Sequence, residues 1–490
     1  MSAPTLVDTT GLRAAFAERL STLYGGEVPA YTTLVQACHE VNERVMGRRG
    51  ADAERFGSIR RVTAERHGAI RVGSVDELRQ VSRIFGALGM YPCGFYDLRD
   101  ASPAPIPVVS TAFRPVERAE LAANPFRVFT SMLVPEDRRF FGPDLERRLK
   151  NFIGSRRLFP DELLTLADRA RAEHGLPVES AERFLDLAAA AFALSPEPVD
   201  RAWYEELARV SGVAADIGGV GTTHINHLTP RVLDIDDLYA SMRARGIEMI
   251  DQIQGPPRWD GPDVLLRQTS FRALAEPRAF REPDGSVAPG TLRVRFGEVE
   301  ARGVALTPAG RDLYDQLMTE VDRRVQASSA SRQEIAQQVW SERMPRSEQE
   351  LRTRGLGYFT YEITPGADVR RAGNAASDAV RTGDLGPLVH AGILDAKPIV
   401  YEDFLPRSAA GIFASNLSGS GSMDAEHGGA PRDLAWLSDA LGVEVRLPEQ
   451  IYDAEAQRSK TAVLDAISVQ LGHAGPDNRP NPDHDRGVTQ

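Results

Sequence analysis

The feature that most constrains this chain is an order of elements that occurs twice. Residues 65–134 read as strand, helix and three strands: ERHGAIRVG, SVDELRQVSRIFGALGM, then YPCGFYDL, PIPVVSTAFRP and PFRVFTSML. Ser74 with Glu77 three residues on gives the helix a capping box. Residues 224–303 repeat the order. HINHLTPRVLD opens as a strand. DIDDLYASMRARG follows as a helix that Asp234 or Asp236 starts and Gly246 ends. IEMIDQI, VLLRQTSFRAL and TLRVRFGEVEARG read as three further strands. The repetition is of structure, not of sequence. The expected division is a helical layer over 1–64, the first unit over 65–134, a helical insertion or lid over 135–215 and the second unit over 216–306. A mixed segment over 307–474 then completes a pocket, and a disordered, Pro- and Asp-rich tail covers 475–490. Residues 415–433 read as a loop by composition.

Composition narrows the classes of function. A chain of 490 residues, 42% hydrophobic and 26% charged, is neither collagen-like nor wholly disordered. No stretch approaches the roughly 20 apolar residues of a membrane span. The first residues lack a basic segment followed by an apolar one, so a cytoplasmic location is expected. Cys38 and Cys93 give neither a disulfide framework nor a Cys-rich zinc site. The net charge of -11 argues against nucleic acid or an anionic membrane as partner; a small anionic substrate needs local arginines. GGVGTT (218–223) lacks the setting of a dinucleotide site, and HExxH, Walker A and G-x-S-x-G sequences are absent.

Three stretches gather chemistry-bearing residues. In RHGAIRVG, His67, Ala69 and Arg71 share one strand face. Four residues span about 13 Å of strand, and the reach of Arg71 leaves a gap suited to a small dicarboxylate. In TLRVRFGEVEARG, Leu292, Val294 and Phe296 alternate with Arg293 and Arg295, and Glu298 continues the apolar, inward face. A carboxylate there must be paired, protonated or metal-bound; Glu300 shares the face and competes with it. HINHLTPRVLDID carries His224 and His227, whose odd spacing lets at most one reach a shared site. Two histidines and a carboxylate form the facial triad of non-haem Fe(II) oxygenases and can also hold catalytic zinc, so the set alone leaves the metal open.

Longer stretches carry a resemblance. EVPAYTTLV (27–35), ERHGAIRVG (65–73), STAFRP (110–115), NPFRVFTSML (124–133), HINHLTPRVLDID (224–236), LLRQTSF (265–271), RFGEVEARGVALTPAGRDLYD (295–315) and YEDFLPRSAAGIFASNL (401–417), in this order, resemble the bacterial 2-oxoadipate dioxygenase/decarboxylase family of the vicinal oxygen chelate superfamily. The resemblance implies an α+β fold in which the two β-α-β-β-β units form a partly closed, barrel-like sheet around one iron, covered by helical layers. It implies His67, His227 and Glu298 as ligands of Fe(II) and Arg71 as the grip on the substrate's distal carboxylate. Arg407 takes a pocket position whose contact can run through the backbone, with Ser408 beside it. Gln268 supports the metal-bearing strands. His67, Arg71, His227, Gln268, Arg407 and Ser408 then line the substrate. Val109 stands where relatives often carry a histidine. The implied reaction is 2-oxoadipate plus O2 giving 2-hydroxyglutarate plus CO2, in lysine catabolism. The implied partners are a 2-oxo dicarboxylate and O2, with oligomeric state open. The alternatives are another metalloenzyme of the superfamily (an isomerase, lyase or ring-cleaving dioxygenase) and a metal-free small-acid binding protein.

Overall fold

The N-terminal helical periodicity is realised as α1 (Thr9–Glu27) and α2 (Pro29–Arg49), parted at Val28 because Pro29 cannot continue the preceding ladder. The β-branched and aromatic runs that follow become β1 (Glu65–Val72), β2 (Tyr91–Asp97), β3 (Val108–Arg114) and β4 (Arg127–Leu133), with helix α3 (Val75–Ala87) between β1 and β2. Ser74 caps α3 by accepting from the Glu77 N–H at 3.3 Å. The Glu77 carboxylate does not return to Ser74, so half of the expected box forms. It takes the Gly73 N–H at 2.6 Å and Arg156 Nε at 2.7 Å, the stronger, charge-assisted partner. The inserted helices are α4 (Pro143–Ser155), α5 (Asp161–Glu173), α6 (Val178–Ala191) and α7 (Arg201–Val210). A short helix, α8 (Gly212–Gly218), was not expected from the sequence.

The structure is a computed structural model that describes residues 5–50, 65–101, 105–416 and 428–472. The expected tail over 475–490, residues 51–64 of the expected N-terminal layer and residues 417–427 of the expected loop lie outside the described residues. The chain divides into two units. The first comprises Met1–Pro257, Leu265–Arg302 and Glu402–Pro448; the second comprises Arg258–Val264, Gly303–Tyr401 and Glu449–Gln490. The fold is mixed α+β, and among the described residues no helix is long and apolar enough to cross a membrane.

In the first unit the second run of elements opens with β5 (His227–Pro230) and helix α9 (Ile235–Ala244), capped by Asp234, which accepts from the Asp237 N–H at 3.0 Å. IEMIDQI is not a strand; it contributes one isolated bridge, Met249 to Phe271, and Gln254 just after it bridges Gln268. The expected single strand TLRVRFGEVEARG is two. After β6 (Leu266–Ser270) come a hairpin of β7 (Glu276–Arg281) and β8 (Val287–Leu292), then β9 (Glu298–Arg302). Residues 293–297 between them are not strand. Val294 and Phe296 are buried as the alternation predicts, but so is Arg295. Its guanidinium is neutralised by Glu276, at 2.9 Å from Nε, and by Glu27, which lifts the penalty for an inward arginine.

Hydrogen bonding orders the main sheet β2-β3-β4-β1-β5, with β1 parallel to β4 and antiparallel to β5. β9 and β6 form an antiparallel pair. Just past β5, Arg231 bridges Glu300 in parallel, and the Val232 N–H donates to Glu300 O at 2.8 Å. Each opening strand thus lies parallel to its unit's closing strand. Among the described residues the strands do not close into a hydrogen-bonded barrel. A large apolar core underlies this unit, with Phe16 at the centre of aromatic contacts to Phe85, Phe126 and Phe192, and a small cluster of Val199, Val220, Phe280, Leu292 and Val294 lies apart from it. The second unit carries helices Pro308–Gln326 and Arg332–Arg343 and an antiparallel pair, Phe359–Ile363 with Leu394–Pro398. It has its own core around Val369, Leu388 and Ile467.

Candidate metal centre

Register places the site. In the β1–β5 pair His67 stands opposite Thr229 and Ala69 opposite His227. Residues two apart on paired strands share a face, so the two imidazoles meet diagonally, ring centroids 5.3 Å apart and planes at 85°. β9 brings Glu298 to the same face. Two glycines permit the approach. A Cβ on Gly68 would sit 2.8 Å from Ile225 Cδ1, and one on Gly297 would sit 2.1 Å from Phe271 Cε1.

His67, His227 and Glu298 are buried, and each offers a donor atom within 4.8 Å of the others'. His67 Nε2 lies 3.3 Å from Glu298 Oε2, and His227 Nδ1 lies 3.5 Å from Glu298 Oε1. Neither ring nitrogen of His227 has a hydrogen-bond partner, although the side chain is buried. An interior imidazole left so is costly unless something else takes its lone pair, and a metal ion fits that requirement. Burial, then the charges of His67 and Arg71, hold the His227 pKa well below its ordinary value, in the neutral form that binds metal. Burial raises the Glu298 carboxyl, opposed by the adjacent His67. Burial would also raise Glu300, but Arg302 and His67 outweigh it and hold that carboxyl well below the usual range. Phe404 and Phe296 cover the two imidazoles, at 4.9 Å from His67 and 5.1 Å from His227.

Of the two competing carboxylates, Glu298 joins the cluster while Glu300 meets the far nitrogen of His67, Nδ1, at 2.9 Å. Of the two histidines on the opening stretch, His227 joins it. His224 turns to Asn226 Nδ2 at 3.0 Å and lies 3.4 Å from Asp216 Oδ1. Burial, partly offset by Asp216, lowers the His224 pKa to about 4. Gln268 Nε2 donates to Glu298 Oε2 at 3.0 Å. Arg71 is buried on the face of β1 that carries His67, and its guanidinium is paired with Asp216 of α8. Ser408 is buried and Arg407 exposed in α10 (Pro406–Asn416). Val109 packs in the core. The sequence reading missed Asp216, Asn226, Arg302 and Phe404. A lone aspartate in the run GVAADIGGVG was the only available signal for Asp216.

The family model of 2-oxoadipate dioxygenase/decarboxylase matches residues 16–416. The 2-oxoadipate dioxygenase/decarboxylase of Mycobacterium tuberculosis is 52% identical over 464 residues, 94% of this chain and 100% of that one. The protein of the same name from Escherichia coli is 39% identical over 454 residues, 92% of this chain and 97% of that one. The structure of hydroxyglutarate synthase from Pseudomonas putida in complex with 2-oxoadipate superposes with a TM-score of 0.77 at 36% identity, covering 96% of this chain and 100% of that one. The matched stretch includes both histidines, Glu298, Arg71 and the Phe404–Ser408 segment, and the chain belongs to the 2-oxoadipate dioxygenase/decarboxylase family.

Proposed function

We propose that this chain converts 2-oxoadipate and O2 to 2-hydroxyglutarate and CO2, with Fe(II) held by His67, His227 and Glu298. The observation that carries the reading is the buried two-histidine, one-carboxylate cluster with a guanidinium on the same strand face. Fe(II) held by His67, His227 and Glu298 would supply the redox chemistry of a 2-oxo acid and O2. The equation balances without an outside reductant or a second oxo acid. The two units' strands wrap this centre as a partly closed, barrel-like sheet in this reading.

The chain's own residues bind and orient. Gln268 fixes the Glu298 carboxylate by donating to Oε2. Phe296 and Phe404 exclude water beside the imidazoles. Arg71 takes the distal carboxylate of the six-carbon diacid, and Asp216 and Thr223 hold it in place. Thr223 Oγ1 donates to the Arg71 carbonyl at 2.7 Å. Ser408 offers a buried hydroxyl to the substrate, and Arg407, whose side chain is exposed, contributes through its backbone. Cys38 and Cys93 are free and buried, which suits a reducing, cytoplasmic compartment; the place in lysine catabolism rests on the family resemblance alone. The test is oxygen consumption with a panel of 2-oxo diacids, with and without Fe(II). Uptake specific to 2-oxoadipate and dependent on Fe(II) is expected. Metal-dependent turnover without O2 uptake would point to an isomerase or lyase, and no bound metal to a binding protein.

A further inference from the structure

We infer that Glu300 is a positioning residue for His67 and not a metal ligand: its carboxylate, gripped by Arg302, accepts the Nδ1–H of His67 and holds the ring with Nε2 turned to Glu298. The inference rests on the metal reading of His67, His227 and Glu298. Glu300 Oε2 lies 2.9 Å from His67 Nδ1, and both side chains are buried. Arg302 donates to both carboxylate oxygens, from Nε to Oε1 at 2.5 Å and from Nη2 to Oε2 at 2.8 Å. An ionised carboxylate only accepts, so His67 must donate through Nδ1. A metal-binding imidazole is neutral and carries one N–H, which leaves the Nε2 lone pair facing the cluster. Nε2 sits 3.3 Å from Glu298 Oε2 and 3.1 Å from Thr229 Oγ1, a hydroxyl that can serve either nitrogen state. Glu300 therefore faces the ring edge opposite the one the cluster uses.

The grip is itself anchored about one hundred residues along the chain. Arg302 Nη1 donates to Asp403 O at 2.9 Å, and its guanidinium lies 5.4 Å from the Phe404 ring centroid. The Asp403 carboxylate is held by Arg114, from Nε at 2.8 Å and Nη2 at 2.9 Å. Phe404 then meets His67 edge-on at 4.9 Å. Rotating the imidazole would break the Glu300 contact. A carboxylate behind a ligating imidazole fixes its tautomer and strengthens it as a donor, and losing such a partner costs about 10- to 100-fold in metal affinity.

The test reads tautomer and metal affinity separately, on the full chain. Nitrogen-15 NMR of the metal-free protein, at a pH high enough to leave the ring neutral and with His67 assigned by difference from His67→Gln, is expected to show the Nδ1–H tautomer. Co(II) titration followed by visible absorption is expected to show Glu300→Gln binding roughly 10- to 100-fold more weakly than wild type, with His67 shifted from the Nδ1–H form. Glu298→Gln should lose the saturable site. An Nε2–H tautomer in wild type overturns the inference, as does wild-type Co(II) affinity in Glu300→Gln. Loss of the site in Glu300→Gln, as complete as in Glu298→Gln and with the fold intact, would make it a ligand and also overturn it. Should Glu300→Gln not fold, the wild-type tautomer decides alone. Absence of Co(II) binding in wild type sinks the metal reading instead, a result the tautomer does not depend on.

Discussion

In the proposed reading Arg71 meets the substrate already paired. Its guanidinium holds Asp216, and both side chains are buried. A substrate carboxylate would therefore share the fork, which the five donors of a planar guanidinium allow where an ammonium could not. Breaking a charge-assisted pair of this kind in a partly dry site costs about 2 to 4 kcal/mol, or roughly 30- to 1,000-fold. Arg71→Ala is expected to keep iron yet lose that factor in kcat/KM for 2-oxoadipate relative to a 2-oxo acid with an apolar tail, and Arg71→Lys to recover little. The measurement is kcat/KM for both acids in each protein. An unchanged ratio removes Arg71 as the clamp and makes Ser408 the next residue to test. His224 makes the complementary case: it faces Asn226 and Asp216, so His224→Ala should retain wild-type iron content.

At the scale of elements, the site depends on two close strand approaches. Gly297 lies immediately before Glu298, where a methyl group would meet the Phe271 ring at 2.1 Å. Gly297→Ala is expected to cost about 1 to 3 kcal/mol in denaturant unfolding and to weaken metal binding by displacing β9; full stability with full metal content would show that β9 can yield. The opening strands were legible because His67, Arg71 and His227 sit in runs that fold as β1 and β5, although β5 keeps only His227–Pro230 of the expected strand. The closing strand was less so. Its alternation runs through Arg293–Gly297 unbroken in sequence, while the chain leaves the sheet there, since Arg295 finds Glu276 and Glu27 inside. Periodicity cannot register a partner that lies about 270 residues away. The same blindness hid Asp216 and Arg302, whose meaning comes from tertiary contacts, and only the family resemblance separated Glu298 from Glu300.

For the molecule as a whole, buried polar groups near the site tie stability to pH. Burial sets the His224 pKa to about 4, against 6.5 ordinarily. Below pH about 6.5 the unfolded chain takes a proton that the folded chain refuses. The neutral histidine's contribution is therefore complete above that pH and is lost progressively down to about 4. Between pH 7.5 and 5 this group should remove about 2 kcal/mol of unfolding free energy. Denaturant melts of metal-free wild type and His224→Asn at both pH values check it, with the smaller loss expected in the variant. Glu300, also depressed, adds a loss in the same direction at lower pH. Iron content after anaerobic Fe(II) loading and desalting, with 2-oxoadipate-dependent O2 uptake on the same samples, tests whether His67, His227 and Glu298 hold the metal. One iron per chain and full uptake are expected in wild type, with neither in His67→Ala, His227→Ala and Glu298→Ala. A folded variant of any of the three that keeps one iron and wild-type uptake would show that the residue replaced is not a ligand.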